Sequence, residues 1–201
     1  MSMEQHPVSA EIAATAARLV VEEGLEYGPA KRRAVKQLGL GKHAPLPSND
    51  ELEDEVRDYL ALFCADTQPQ ELLALRELAA QWMERLGEFR PHLCGAVWRG
   101  TATRLNNIHL QLYCDDSKAA EIALINMSVD YETGETTGPR GEAVQVLSFA
   151  APCRALQESV TIAMTILDYD DQRGALKRDA RGRSERGDLA ALRKLMLEQA
   201  E

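Results

Sequence analysis

The chain has 201 residues, of which 45% are hydrophobic and 27% are charged, and its formal net charge is −9 with a pI near 5.1. This length and composition are ordinary for a globular protein and sufficient for a buried core. The acidic balance argues against an extended nucleic-acid surface, because contacts to phosphates need a basic field.

The cysteine and apolar patterns predict a cytoplasmic protein. No apolar N-terminal signal segment is present, and no run approaches the roughly 18 apolar residues of a membrane span. The four cysteines are widely spaced, without a Cys-x-x-Cys pair, and we interpret them as reduced, structural thiols. They are Cys64, Cys94, Cys114 and Cys153.

Residues 1–89 are predicted to form a helical region. Ser9 is expected to cap the first helix and Gly24 to end it, and Ser48 with Glu51 has the spacing of a capping box. The last helix of this region has a broad apolar face, which we expect to pack on a sheet. That face consists of Leu72, Leu75, Leu78, Ala79, Trp82, Met83 and Leu86.

The residue pattern of the next segment, 90–170, predicts mainly strands. A helix is expected after Asp115-Asp116-Ser117, and Ser128–Thr133 suggests a strand that a turn over 134–141 follows. Two further strands are predicted at Ala143–Phe149 and Val160–Leu167, which are rich in β-branched residues.

Residues 171–201 are predicted to be a basic tail that ends in a helix. The Gly- and Arg-rich stretch 172–187 is interpreted either as a solvated linker or as a source of arginines for a nucleotide phosphate or a subunit boundary. The helix that starts at Asp188 is amphipathic, so it covers its own domain or a partner. A homo-oligomer formed through helices is therefore one open alternative.

The stretch Gly95–Leu112 carries the most information about function. Gly95 ends a short apolar run, and Arg99-Gly100-Thr101 forms a break before the next strand. From Asn107 the chain alternates strictly between polar and apolar residues, which is typical of a half-buried strand. The polar positions are Asn107, His109, Gln111 and Tyr113, and the apolar positions are Ile108, Leu110 and Leu112.

This stretch resembles the active-site segment of the nucleotidyltransferase superfamily, the polymerase-β-like fold, and especially its small bacterial and aminoglycoside-type members. In that family a Gly-Ser pair, an Arg-Gly-x-Ala turn and a Ser-Asp-x-Asp-Leu strand follow one another. Gly95-Ala96, Arg99-Gly100-Thr101-Ala102 and Asn106-Asn107-Ile108-His109-Leu110 stand at those positions. The resemblance implies that Gly95, Ala96, Arg99 and Thr101 line the phosphate side of a nucleotide site. It places Asn107 and His109 at the catalytic aspartates.

Three departures from the family pattern indicate a degenerate metal site. Ala96 replaces the serine, and Asn107 and His109 replace both aspartates. Mg²⁺ prefers anionic oxygen ligands, which neither an amide nor an imidazole supplies. Asp130 and Asp168 are available as a third acid, but spacing assigns neither. We predict no metal site, because the histidines also lack metal-ligand spacing.

The sequence thus predicts an α+β protein with a helical region (1–89), a nucleotidyltransferase-like mixed sheet with flanking helices (90–170) and a tail (171–201). We interpret it as a divergent nucleotidyltransferase-like protein that has lost ordinary Mg²⁺-dependent transfer and binds a nucleotide or a partner. Two alternatives stay open. One is an active nucleotidyltransferase with an altered site that uses a nucleoside triphosphate with Mg²⁺, and the other is a purely structural or oligomerisation protein. An ordinary strand-turn-strand segment with a solvated face would also fit Gly95–Leu112.

Overall fold

The computed structural model describes residues 7–173, 177–179 and 181–199. These residues form two compact units. The first unit holds the described residues up to Pro69 together with Thr101–Asn106. The second unit holds Gln70–Gly100 and the described residues from Asn107 onward. The predicted domain ranges stay predictions.

Along the described chain, four helices come first, and the strands follow with three further helices between and after them. The helices are α1 (Pro7–Glu23), α2 (Tyr27–Gln37), α3 (Asn49–Phe63), α4 (Gln68–Arg85), α5 (Gly95–Arg99), α6 (Ser117–Asn126) and α7 (Leu189–Glu198). The strands are β1 (His92–Cys94), β2 (Ile108–Tyr113), β3 (Glu132–Thr137), β4 (Ala143–Cys153), β5 (Glu158–Leu167) and β6 (Arg186–Gly187). Short 3₁₀ turns lie at Gly87–Phe89 and Tyr169–Gln172.

The first unit is a cluster of α1, α2 and α3 around small and branched apolar residues. The predicted capping box of α3 is confirmed, since the Glu51 amide donates to Ser48 Oγ at 3.1 Å and the Ser48 amide donates to Glu51 Oε2 at 2.6 Å. Gly24 ends α1 with a φ of +68°, as predicted. The predicted cap at Ser9 is wrong, because α1 already begins at Pro7 and Ser9 is buried within the helix. Proline is well suited to a first helical turn.

The second unit is built on a six-stranded mixed sheet in the order β3-β4-β5-β2-β1-β6. β2 and β5 are parallel, and the other neighbours are antiparallel. One face of the sheet is apolar, and Trp82 of α4 contacts Phe149 of β4 there with ring centroids 4.5 Å apart. The predicted α+β class is therefore confirmed. The buried strand residues of this core face include Leu93, Ile108, Leu110, Leu112, Leu147, Phe149, Ile162, Met164 and Ile166.

Several element boundaries differ from the prediction. The strand predicted at Ser128–Thr133 is displaced, since β3 covers Glu132–Thr137, and the turn is confined to residues 138–141. All six residues of β3 are exposed, so no apolar alternation marks its ends. Asp188 caps α7 as predicted, by accepting a hydrogen bond from the Ala191 amide at 2.8 Å.

Two further predictions concern the state of the cysteines and membrane-spanning segments. The four cysteines are reduced thiols that form no disulfide among the described residues, as predicted. No helix within the described ranges is both long and apolar enough to span a membrane.

Candidate functional site

Gly95 makes the sharp turn from β1 into α5. Its φ is +72°, and a Cβ at this position would lie 3.5 Å from Cδ2 of His109. A side chain is therefore strained here by the backbone conformation. The turn brings the first residue of α5 directly beside His109.

The far end of α5 is held by a buried arginine that the sequence analysis missed. Arg76 of α4 is only 1% exposed, and it donates from Nε to the Val97 carbonyl at 3.0 Å and from Nη2 to the Trp98 carbonyl at 2.9 Å. These carbonyls belong to the last turn of α5, where a cation is favourable. In the sequence, Arg76 falls among the residues of the apolar face of α4. A single charged residue on an otherwise apolar helix face is the signal that could have identified it as a buried, hydrogen-bonded side chain.

The second face of the sheet, opposite the core, is the polar face. Strand pairing places Cys94 opposite His109, His109 beside Ala163 and Gln111 beside Thr165. Because side chains alternate along each strand, these residues share one side of the sheet. None of the strand residues that the pairing assigns to this face in β1, β2, β5 and β6 is acidic. They are His92, Cys94, His109, Gln111, Tyr113, Ser159, Thr161, Ala163, Thr165, Leu167 and Arg186.

The basic tail supplies the cation of the polar face. β6 pairs with β1 so that Arg186 stands opposite Cys94, and Arg186 Nη1 donates to Gln111 Oε1 at 2.6 Å. Nε of Arg186 is buried and has no hydrogen-bond partner within the described part of the chain. The side chain as a whole is 21% exposed, so the guanidinium reaches the surface of the polar face although Nε itself is buried.

A buried tyrosine fixes the orientation of Gln111. Tyr113 is 1% exposed, and its hydroxyl donates to Gln111 Oε1 at 3.1 Å, so this oxygen accepts from both Tyr113 and Arg186. Burial raises the pKa of Tyr113, while the neighbouring Arg186 opposes the shift. The hydroxyl is therefore a neutral donor at physiological pH.

Two acids approach the polar face from outside its strands, and both are paired with arginine. Glu185 is 72% exposed and lies 3.2 Å from Nη2 of Arg186. Asp171 is 8% exposed and lies 2.5 Å from Nη2 of Arg140. Both carboxylates therefore have a guanidinium as their neighbour.

The structure brings some of the sequence-predicted site residues together and leaves others apart. Gly95, Ala96 and Arg99 are all on α5, and Gly95 lies beside the side chain of His109. Asn107 is exposed and lies one residue before β2. Thr101 belongs to the first unit, where it is 2% exposed.

The two acids considered for a third metal position do not lie on the polar face of β5. Asp168 follows the strand and accepts a hydrogen bond from the Asp170 amide at 2.9 Å, which caps the 3₁₀ turn. Asp130 is exposed in the connection before β3. Within the described residues, no three His, Cys, Asp or Glu side chains are grouped so that they could hold a metal ion.

Comparison with known proteins gives little further guidance. No family model matches the chain, and no curated protein matches it. A partial likeness exists to the solved structure of the Cid1 poly(U) polymerase with MgGTP bound, at 10% identity and a TM-score of 0.34 over 47% of this chain. The match spans 32% of the polymerase chain, about a third of its length. A likeness this weak assigns neither a family nor an activity to the chain.

Proposed function

We propose that this protein is a divergent nucleotidyltransferase-like protein that binds a nucleotide through its phosphates and does not catalyse ordinary Mg²⁺-dependent transfer. The observation that carries the proposal is the polar face, where Arg186 and His109 lie beside the Gly95 turn and the strands β1, β2, β5 and β6 contribute no carboxylate. The reduced thiols also fit a reducing, cytoplasmic location.

The charge of this face supports an anionic ligand over a metal ion. Mg²⁺ sites in phosphoryl chemistry depend on carboxylates that hold the ion against the phosphates. The strands offer an imidazole, an amide, hydroxyls and a guanidinium instead, and a guanidinium matches the geometry of phosphate oxygens. The Arg186 side chain is 21% exposed. Arg99, on α5, is the second guanidinium that we assign to the phosphates.

The test is thermal unfolding with a panel of nucleoside triphosphates, each with and without Mg²⁺ or Mn²⁺. A ligand at about 100 times its Kd stabilises the folded state by about 2.7 kcal/mol, which raises Tm by several degrees. We expect a rise that needs no metal. Arg186→Gln should abolish it, whereas Arg154→Gln, in the exposed β4–β5 turn, should leave it unchanged.

Other outcomes separate the alternatives. A rise that requires both nucleotide and metal would indicate an active enzyme with an altered site. No rise with any nucleotide would contradict the proposal and favour an interaction protein. If the metal site is only degenerate, the double variant Asn107→Asp with His109→Asp should gain Mg²⁺ affinity, measured by calorimetry. If the native residues are themselves catalytic, the same variant should lose activity.

A further inference from the structure

β3 leaves a long backbone edge open on the second unit. It is the outermost strand, and no other described strand pairs with its outer side. Every second residue of an edge strand directs its N–H and C=O outward, so β3 can accept another strand. The opposite edge is formed by β6, which has only two residues. β3 has six and is the edge that can hold a partner segment.

A cavity of about 590 Å³ lies beside this edge, between α6 and the strands β3 and β4. Register places Thr133 opposite Leu147 and Glu135 opposite Gln145, so these β3 side chains lie on the helix-covered side of the sheet. The cavity is therefore next to the position that alternate side chains of an added strand would take. Its polar lining consists of Ser117, Lys118, Glu121, Thr133, Glu135 and Gln145.

The charge around the cavity favours a cationic side chain. Glu121 and Glu135 line it with one lysine, Lys118, so the cavity lining carries a net negative charge. Gln145 donates a hydrogen bond to Glu121, which orients that carboxylate at the cavity. The whole chain carries a formal charge of −9, which opposes pairing with a second copy and attracts a basic partner.

An apolar patch borders the same side of α6. Ile122 and Ile125 are 53% and 59% exposed. Helical spacing places Ile122 one turn from Lys118 and Ile125 one turn from Glu121, so both are neighbours of the cavity lining. A partner side chain next to the cationic one would meet apolar surface here.

We propose that β3 binds an extended basic peptide segment of a partner protein as a seventh strand of the sheet. The backbone of the segment pairs with the outer edge of β3. A lysine or arginine side chain enters the cavity near Glu121 and Glu135, and an apolar side chain contacts Ile122 and Ile125. This surface is separate from the polar face, so the binding does not depend on the proposed nucleotide function.

The experiment uses a fluorescently labelled peptide, Thr-Lys-Thr-Val-Thr-Lys-Thr, titrated with the full chain and followed by anisotropy. Its matched controls are the same sequence with glutamate in place of lysine and a twin with N-methylated backbone amides, which cannot pair as a strand. We expect saturable binding of the basic peptide alone. Hydrogen exchange should slow at the amides of Glu132–Thr137 when it binds.

Variants test the contribution of the cavity. The double change Glu121→Gln with Glu135→Gln should weaken binding about fivefold to tenfold, because two charge pairs are lost. Glu88→Gln, an exposed glutamate in the 3₁₀ turn after α4, should have no effect. Equal affinity for the acidic or N-methylated peptide, or absence of protection in β3, overturns the proposal. A dimer by light scattering whose β3 amides are already protected without peptide would show that a second copy occupies the edge, and this also overturns it.

Discussion

Gly187 and Trp98 decide whether Arg186 reaches the polar face. Trp98 Nε1 donates to the Ser184 carbonyl at 2.7 Å, and its ring lies over Gly187 so closely that an added Cβ would overlap it. Only a residue without a side chain lets β6 approach β1 beneath this ring. The neighbouring Arg186 then points toward Gln111.

We therefore predict that Gly187→Ala detaches β6 and α7 from the sheet. The overlap with the Trp98 ring should lower the free energy of unfolding by about 1–3 kcal/mol, as overpacking does. Urea denaturation measures the loss, and hydrogen exchange should speed up over Arg186–Glu198. Gly134→Ala is the matched control, because nothing lies within 4 Å of an added Cβ there. Equal stability of the two variants would contradict this account.

At the scale of elements, the capping box makes α3 sensitive to acid. The bond from the Ser48 amide lowers the pKa of Glu51 below its ordinary value, with the Ser48 hydroxyl as the second cause. A depressed folded-state pKa stabilises the fold above the unfolded pKa, and this stabilisation is lost as pH falls through the folded value.

Glu51→Ala should cost about 0.5–1 kcal/mol of unfolding free energy at neutral pH, because both the bond to the Ser48 amide and the favourable charge at the helix start are lost. The cost should shrink as pH falls below the ordinary glutamate pKa of about 4.3 and through the lower pKa of the folded state, because the wild-type carboxyl then becomes protonated. Urea denaturation at several pH values tests this, with Asp58→Ala, an exposed site on the same helix, as control. A cost that is constant between pH 7 and pH 3 would disprove the role of the carboxylate.

The sequence predicts the elements whose boundaries are set locally. The capping box at Ser48 and the alternation of β2 are visible in residue types alone. β6 has two residues, and its place depends on the distant contact between Gly187 and Trp98, which no local pattern reveals. Gly95 and His109 could be proposed as site residues because they lie in one local motif. Arg76 was missed, and Arg186 could not be singled out among the tail arginines, because contacts distant in sequence place both of them.

For the whole molecule, charge is distributed unevenly. The chain is acidic, yet β1, β2, β5 and β6 contribute only neutral or basic side chains to the polar face, while Glu121 and Glu135 line the cavity beside β3. The two proposed binding surfaces of this sheet therefore suit ligands of opposite charge. Raising the salt concentration should weaken the binding of the basic peptide and the binding of a nucleotide alike, because both contacts are electrostatic.

The stability of the second unit should depend on Tyr113 at alkaline pH. Burial raises its folded-state pKa, so the neutral form stabilises the fold below the ordinary tyrosine pKa of about 10, and this stabilisation is lost as pH rises toward and through the folded value. Tyr113→Phe should cost about 1 kcal/mol near pH 7, since the hydrogen bond to Gln111 is lost. The difference between wild type and variant should narrow above pH ~10, because phenylalanine cannot ionise. Urea denaturation from neutral to alkaline pH measures the difference in unfolding free energy, with Tyr169→Phe at an exposed site as control. A difference that stays constant into the alkaline range would mean that the hydroxyl is not held neutral by burial.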